Sequence, residues 1–330
     1  MLPHIDHTLV LYGVFTVIVS VFVLIDLGAF TKHTHTKMTL TKATRWTALW
    51  FSLSALFSLF IYFYYEDPNL PNANETKWME YVAGYLLEYS LSIDNLFVFI
   101  MLFQKFKVGT ESQSRVLKWG IIGALILRAI MIFVGSALVA NFHWILYVFG
   151  FLLLYTALKM FLHKEEEEVH PEDNFLITGL KKILPFTNEV HPNSFWVKIH
   201  GKWKATPLFL VLIMVELSDV MFALDSIPAI FSITNDAFIV FTSNIFAILG
   251  LRSLYFLING IMDLFVHLKT GVAIILAFVG FKMILPLLCN LVNYPPIHVP
   301  VGVSLGVIVF VLILSILLSI PEYNRNKKGK

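Results

Sequence analysis

Five carboxylates stand where an ionised acid is expensive. Glu88 and Asp94 lie in EYSLSIDNLFVF (88–99), and Glu216, Asp219 and Asp225 lie in ELSDVMFALDSIPAI (216–230), both inside long apolar runs. A charge at such depth persists only beside a partner, a cavity or a cation. At 100° per residue Glu88, Ser92 and Asn95 share one helix face, with Ser90 and Asp94 on the adjoining one. Glu216 and Asp219 are neighbours at i, i+3, flanking Ser218, while Asp225 and Ser226 point elsewhere on a regular helix. Pro228 disturbs that regularity, because it brings no donor and its ring clashes with the carbonyl of Leu224. The freed oxygen beside Asp225 is the kind of backbone ligand that broken transporter helices supply. Carboxylates, hydroxyls, an amide and a carbonyl are all hard donors. They suit Mn²⁺, Ca²⁺ or Mg²⁺, whereas Cu⁺ or Zn²⁺ would call for Cys or His, and neither motif contains one. One cation site near the bilayer midplane is therefore expected, formed by the five acids Glu88, Asp94, Glu216, Asp219 and Asp225.

Two arginines complicate the charge balance. Arg128 and Arg252 fall near the centres of apolar runs, and a lone buried charge is costly, so they are expected to pair with two of the five acids. Three negative charges then remain, enough for one dication and one proton, which makes protons a candidate second partner. Ser243 and Asn244 are midspan too; they read first as interhelical hydrogen-bonding residues and second as ligands. Asp26, at the end of the first run, reads equally as a gate residue or as an interfacial acid.

The elements that must position these groups are membrane helices. Of the 330 residues, 58% are apolar and 14% charged, with a mean hydropathy of +0.77, which is too apolar for a soluble domain. The expected fold class is an all-α polytopic membrane protein. A bilayer core needs about 20 apolar residues per helix, and nine runs qualify: 8–30, 46–65, 79–103, 116–139, 142–162, 207–230, 238–262, 270–288 and 300–320. The first has neither the basic flank nor the cleavage site of a signal peptide, so it reads as a retained helix. Lys and Arg concentrate in alternate loops (31–45, 104–118, 163–206, Lys269 and the tail after 320), while the opposite side has only Lys77 beside Glu66, Asp67 and Glu75. The positive-inside rule then places the N-terminus outside and the C-terminus in the cytoplasm of a bacterial inner membrane. The net charge of +2 gives no reason to expect nucleic acid, and the single Cys289 excludes an internal disulfide.

An internal repeat divides the chain. Glu88-x5-Asp94 matches Asp219-x5-Asp225, ILR (126–128) matches GLR (250–252), and ALKMFL (157–162) matches GFKMIL (280–285). The first copy starts with a helix running inward and the second with one running outward. The two units of three helices are thus inverted, a recurring transporter plan with the site at the interface. The expected organisation is two leading helices (1–78), a first repeat (79–162), a cytoplasmic loop (163–206), a second repeat (207–289), and a last helix with a basic tail (290–330). Within the loop, FWVKIHGKWKAT (195–206) reads as a β-hairpin turning at His200-Gly201, a cap or a docking point for a protein partner. The run from His163 to Asp173 with its four glutamates reads as a solvated charge run. His33 and His35 are too few for a metal site.

At these motifs the sequence resembles the TerC/Alx family of integral membrane proteins, grouped with LysE-like transporters. The resemblance is carried by EYSLSIDNLFVF (88–99), TPLFLVLIMVELSDVMFALDSIPAIFSIT (206–234) and FTSNIFAILGLRSLYFL (241–257), with LIDLGAF (24–30) and HPEDNFL (170–176) beside them. Ser218 stands where the family often has Thr. The resemblance implies Mn²⁺ export with the ion role on Glu88, Asp94, Asn95, Glu216, Asp219 and Asp225, under a historical tellurite-resistance label. Clustered carboxylates would repel an oxyanion, which argues against the label. The expected function is a secondary transporter moving Mn²⁺ or a related hard dication out of the cytoplasm. The rival is a non-transporting scaffold in a stress-response or membrane-biogenesis complex. No enzyme activity is expected: the chain lacks a nucleotide-binding G-x-x-x-x-G-K-[ST] motif and the YD and GxGD motifs of an intramembrane aspartyl protease.

Overall fold

In lipid, backbone N–H and C=O groups must be satisfied internally, and long apolar runs do so as helices. The computed structural model describes residues 7–26, 39–66, 72–162, 185–187, 194–261, 267–297 and 299–328, with side chains at all of these except 7–9, 26, 94, 261 and 322–328. The His163–Asp173 run and His33–His35 lie outside the described residues, as do the side chains of Asp26 and Asp94. In chain order the helices are α1 (His7–Asp26), α2 (Leu40–Tyr64), α3 (Ala73–Lys105), α4 (Thr110–Asn141) and α5 (Ile145–Leu162). A hairpin of β1 (Trp196–Ile199) and β2 (Lys202–Ala205) leads into α6 (Pro207–Phe231), α7 (Ala237–Leu249), α8 (Leu251–Ile261), α9 (Leu268–Leu291) and α10 (Val301–Lys328). Seven of the described helices are long and apolar enough to cross a membrane, or eight if α7 and α8 make one bent span. The stretch Val10–Ile25 in α1 is apolar but shorter. This is an all-α polytopic membrane protein.

Local sequence sets the starts. Thr206 caps α6, its Oγ1 accepting from Phe209 N–H at 3.4 Å, and Pro207 follows as the first helical residue, where its missing donor costs nothing. Asp236 caps α7, its Oδ1 accepting from the N–H groups of Phe238 and Ile239. In the hairpin Trp196 faces Ala205 and Ile199 faces Lys202 in antiparallel register, and the positive φ of both His200 and Gly201 makes the two-residue turn.

The irregularity expected at Pro228 lies elsewhere. The helix α6 stays continuous through Pro228, which falls in its last turn. The run expected as a single helix over 238–262 instead bends by 46° at Gly250, between α7 and α8. Glycine is a poor helix former, and the Gly250 carbonyl takes a second donor, Ser253 Oγ at 2.9 Å, beside the backbone N–H of Leu254.

The most enclosed span is α3, which packs on α2, α6, α7, α8, α9 and α10. Phe15 of α1 and Phe57 of α2 pack against Phe246 of α7, with ring centroids 5.1–5.8 Å apart, so the two leading helices brace the bundle through aromatic contacts. Ile126, Phe133, Phe151, Phe310 and Leu317 are exposed on α4, α5 and α10, as a lipid-facing surface requires. The tightest packing joins α5 to α9, where Gly150 and Gly280 meet. A Cβ on Gly280 would lie 2.8 Å from the Gly150 carbonyl oxygen and 3.0 Å from Leu154 N, both backbone atoms that cannot swing aside. We expect Gly280→Ala to destabilise the protein by about 1–3 kcal/mol, read as a lowered thermal midpoint in detergent.

Candidate functional site

Four helices bring one polar side chain each to the middle of the bundle. Glu88 of α3, Arg128 of α4 and Asn244 of α7 are completely buried, and Asp219 of α6 is nearly so. The Arg128 guanidinium makes a two-pronged contact with Asp219: Nε donates to Oδ2 at 3.2 Å and Nη2 to Oδ1 at 2.9 Å. Its Nη1 donates to Glu88 Oε1 and, at 3.0 Å, to Asn244 Oδ1. Asn244 closes the ring by donating from Nδ2 to Glu88 Oε2 at 3.1 Å. A planar fork of donors between two carboxylates is the geometry for which arginine is suited and lysine is not. Two negative charges and one positive leave the cluster with a net charge of −1.

A cavity of about 20 Å³, room for one water-sized occupant, adjoins this cluster on the side of the α6 N-terminus. Glu216, Asp219 and Arg252 line it together with Gly120, Ala124 and apolar residues of α3, α4 and α8. Glu216 Oε2 is buried with no hydrogen-bond partner among the described residues. Its carboxylate occupies the notch left by Gly123: a methyl group there would overlap the whole carboxylate. Arg252 donates from Nη2 to Ser114 Oγ at 3.1 Å.

The other expected residues are distributed around this centre. Asp225 is half-buried and turned toward α5, where Thr156 Oγ1 donates to its Oδ1 at 2.9 Å. Because α6 stays helical, Asp225 keeps the orientation that the 100° rule gives it, away from Asp219. Leu224 faces outward. Asn95 is buried on α3, and Ser90, Ser92 and Ser226 are buried with hydroxyls that have no partner among the described residues. Ser218 and Ser243 return their hydroxyls to their own helices, at Met214 O and Ile239 O. Among the described residues no three His, Cys, Asp or Glu side chains converge as a metal would need. Arg128 occupies the space between Glu88 and Asp219 where such a group would form.

A second polar network was not anticipated. Near the opposite end of the bundle, Lys77 Nζ lies 2.8 Å from Glu80 Oε2 and 3.4 Å from Asp236 Oδ2. Thr234 also donates to Glu80, and Tyr65 to Asp236. Glu80 is eight residues before Glu88, two turns along the same stripe of α3, and that spacing could have revealed it.

A bundle of apolar helices closed around a buried ion-pair ring is a polytopic membrane protein with a charged centre. Its sequence places it further: residues 73–328 match the integral membrane protein TerC family, and the chain belongs to that family. It is 46% identical over 275 residues to a protein of Photorhabdus laumondii described as a candidate membrane-bound redox modulator, Alx, with 83% of this chain and 86% of the relative covered. The Alx protein of Escherichia coli K12, which carries the same description, is 45% identical over 279 residues, covering 84% and 86%. An uncharacterized membrane protein of Myxococcus xanthus is 42% identical over 287 residues, covering 87% and 86%. No solved structure matches the chain.

Proposed function

We propose that the protein is a secondary transporter that exports Mn²⁺, or a related hard divalent cation, from the cytoplasm. The observation that carries this reading is the meeting of Glu88 and Asp219, equivalent positions of the two sequence repeats, at one buried cationic group. Their oxygens, with those of Asn244 and Glu216, form a hard donor set suited to Mn²⁺, Ca²⁺ or Mg²⁺. The packing supports an inverted repeat: α3 against α7 and α4 against α6 are contacts that exchanging the two units would interchange. A bent α7–α8 pair beside the site fits the broken helices of transporters. With the basic loops in the cytoplasm, Glu216 and the cavity lie on the cytoplasmic side of the ion-pair ring. Asp94 and Asp225 belong to the same path, and protons are the candidate counter-ion. A redox effect of the kind named for the Alx relatives would be indirect, through metal balance, since one buried thiol, Cys289, cannot form an internal disulfide.

The test is Mn²⁺ flux into inside-out vesicles. Wild-type vesicles should accumulate Mn²⁺, while Asp219→Asn and Asp225→Asn vesicles, at equal expression, should fall at least tenfold, of the order seen when a group that holds a metal is lost. Each amide is near-isosteric, and Asp219→Asn leaves Arg128 paired with Glu88, so folding should survive. Wild-type vesicles that take up no more Mn²⁺, Ca²⁺ or Mg²⁺ than empty ones would sink the transport reading. The scaffold reading would then gain, since it treats the arginine-filled centre as a structural ion-pair network. It requires neutral substitutions at these acids to leave function intact.

A further inference from the structure

We infer that Arg128 is a tethered internal cation, whose guanidinium fills the oxygen cage of the empty carrier and yields it to the transported dication. This deepens the transport reading and rests on it. Four oxygens from three helices converge on the guanidinium: Glu88 Oε1, both carboxylate oxygens of Asp219, and Asn244 Oδ1. A two-oxygen carboxylate, a one-oxygen carboxylate and an amide carbonyl are the ligands a hard dication takes. Guanidinium is not deprotonated in proteins, so it can stand in for a metal ion at any pH of interest. An empty cage of two buried carboxylates would resist passage through the apolar midplane. With Arg128 in place, the emptied carrier can return without a second metal ion.

The arginine has somewhere to go. Helical side chains lean toward the N-terminus of their helix, over the residue four positions back. For Arg128 that residue is Ala124, and Gly120 continues the same face; both line the cavity that also holds Glu216. Glu216 Oε2, buried and lacking a hydrogen-bond partner among the described residues, is the second berth. Glu216 is one helical turn from Asp219, so the guanidinium can change partners without leaving its pocket. In the loaded form three carboxylates, Glu88, Asp219 and Glu216, balance the dication and the guanidinium.

The test separates net transport from exchange in liposomes containing the full chain. Net efflux of Mn²⁺ into Mn²⁺-free buffer requires the empty carrier to return; exchange of labelled against unlabelled Mn²⁺ does not. Arg128→Gln should lower net efflux at least tenfold more than it lowers exchange, and Arg128→Lys should retain net efflux. Lysine lacks the planar fork and is a weaker internal competitor, so Arg128→Lys should also lower the half-saturating Mn²⁺ concentration, by roughly threefold. Parallel loss of exchange and net efflux in folded Arg128→Gln would overturn the inference while leaving the transport reading intact. If Arg128→Gln does not fold, Arg128→Lys decides: an unchanged or higher half-saturating concentration overturns the inference. Wild-type liposomes showing neither net efflux nor exchange would instead refute transport itself.

Discussion

Replacing Arg128 by methionine lowers the stability of the purified protein by about 3–5 kcal/mol, and amidating Glu88 and Asp219 in the same chain restores most of it. The reason is an asymmetry in buried ion pairs. Together the three charges satisfy one another through three hydrogen bonds from the guanidinium, which donates a fourth to Asn244 Oδ1, while Asn244 Nδ2 holds the fourth carboxylate oxygen. Removing the arginine leaves two carboxylates facing each other without their cationic partner, and Glu88 has no exposed surface through which solvent could compensate it. Removing all three charges leaves a neutral, hydrogen-bonding centre of almost the same volume, which costs far less than a broken pair. The measurement is unfolding in detergent with a chelator present, comparing wild type, Arg128→Met, and Glu88→Gln/Arg128→Met/Asp219→Asn. The expected order places the triple variant close to wild type and the single variant well below both. A single variant as stable as wild type would mean that the ion pair is not closed in the native protein. The triple variant should also transport nothing, separating the stability of this centre from its use.

How much of this centre could be read from the sequence depends on which force fixes each part. Apolar run length gave the helical character of the spans, because burial of the backbone in lipid leaves helices as the only solution for such runs; it gave nine, where the described residues hold seven, or eight with the bent pair. That Arg128 should find an acid was legible as well, since a lone buried charge is costly; that it alone holds two, Glu88 and Asp219, was not. Nor was the choice of partners: Glu88, Arg128 and Asp219 meet because α3 and α4 both pack on α6, and helix crossing is set by surface shape along the whole contact. Asn244 looked like a generic polar residue for the same reason, although it closes the ring. Pro228 drew attention as a breaker, yet within the last turn of α6 it disrupts little of the remaining helix. The bend falls instead at Gly250, the weakest helix former in that run, whose carbonyl is shared between Ser253 Oγ and Leu254 N–H. Glu80 sits at the start of a run, where an acid is near the interface and carries no signal of its own; its spacing from Glu88 marks it as part of the same stripe.

On the proposed transport reading, Gly123→Ala should weaken Mn²⁺ handling about tenfold while leaving the fold close to wild-type stability, whereas Gly120→Ala, which leaves the Glu216 carboxylate in place, should weaken it far less. The two glycines are one turn apart on α4 and both face α6, so they form a matched pair. A methyl group at Gly120 would meet its nearest neighbour, Val215 Cγ1, at 3.5 Å, an ordinary contact. At Gly123 the same methyl overlaps the Glu216 carboxylate. That carboxylate is the free end of a flexible side chain, so it rotates away at small cost and the helices need not separate. What is lost is position: Glu216 leaves the cavity wall it shares with Asp219 and Arg252, and with it the berth next to Arg128. The effect should appear as a raised half-saturating Mn²⁺ concentration with an unchanged thermal midpoint. A fallen midpoint in both variants would show that α4 and α6 simply need small residues to approach. Equal flux in all three proteins would remove Glu216 from the path and leave Glu88 and Asp219 as its whole charged centre.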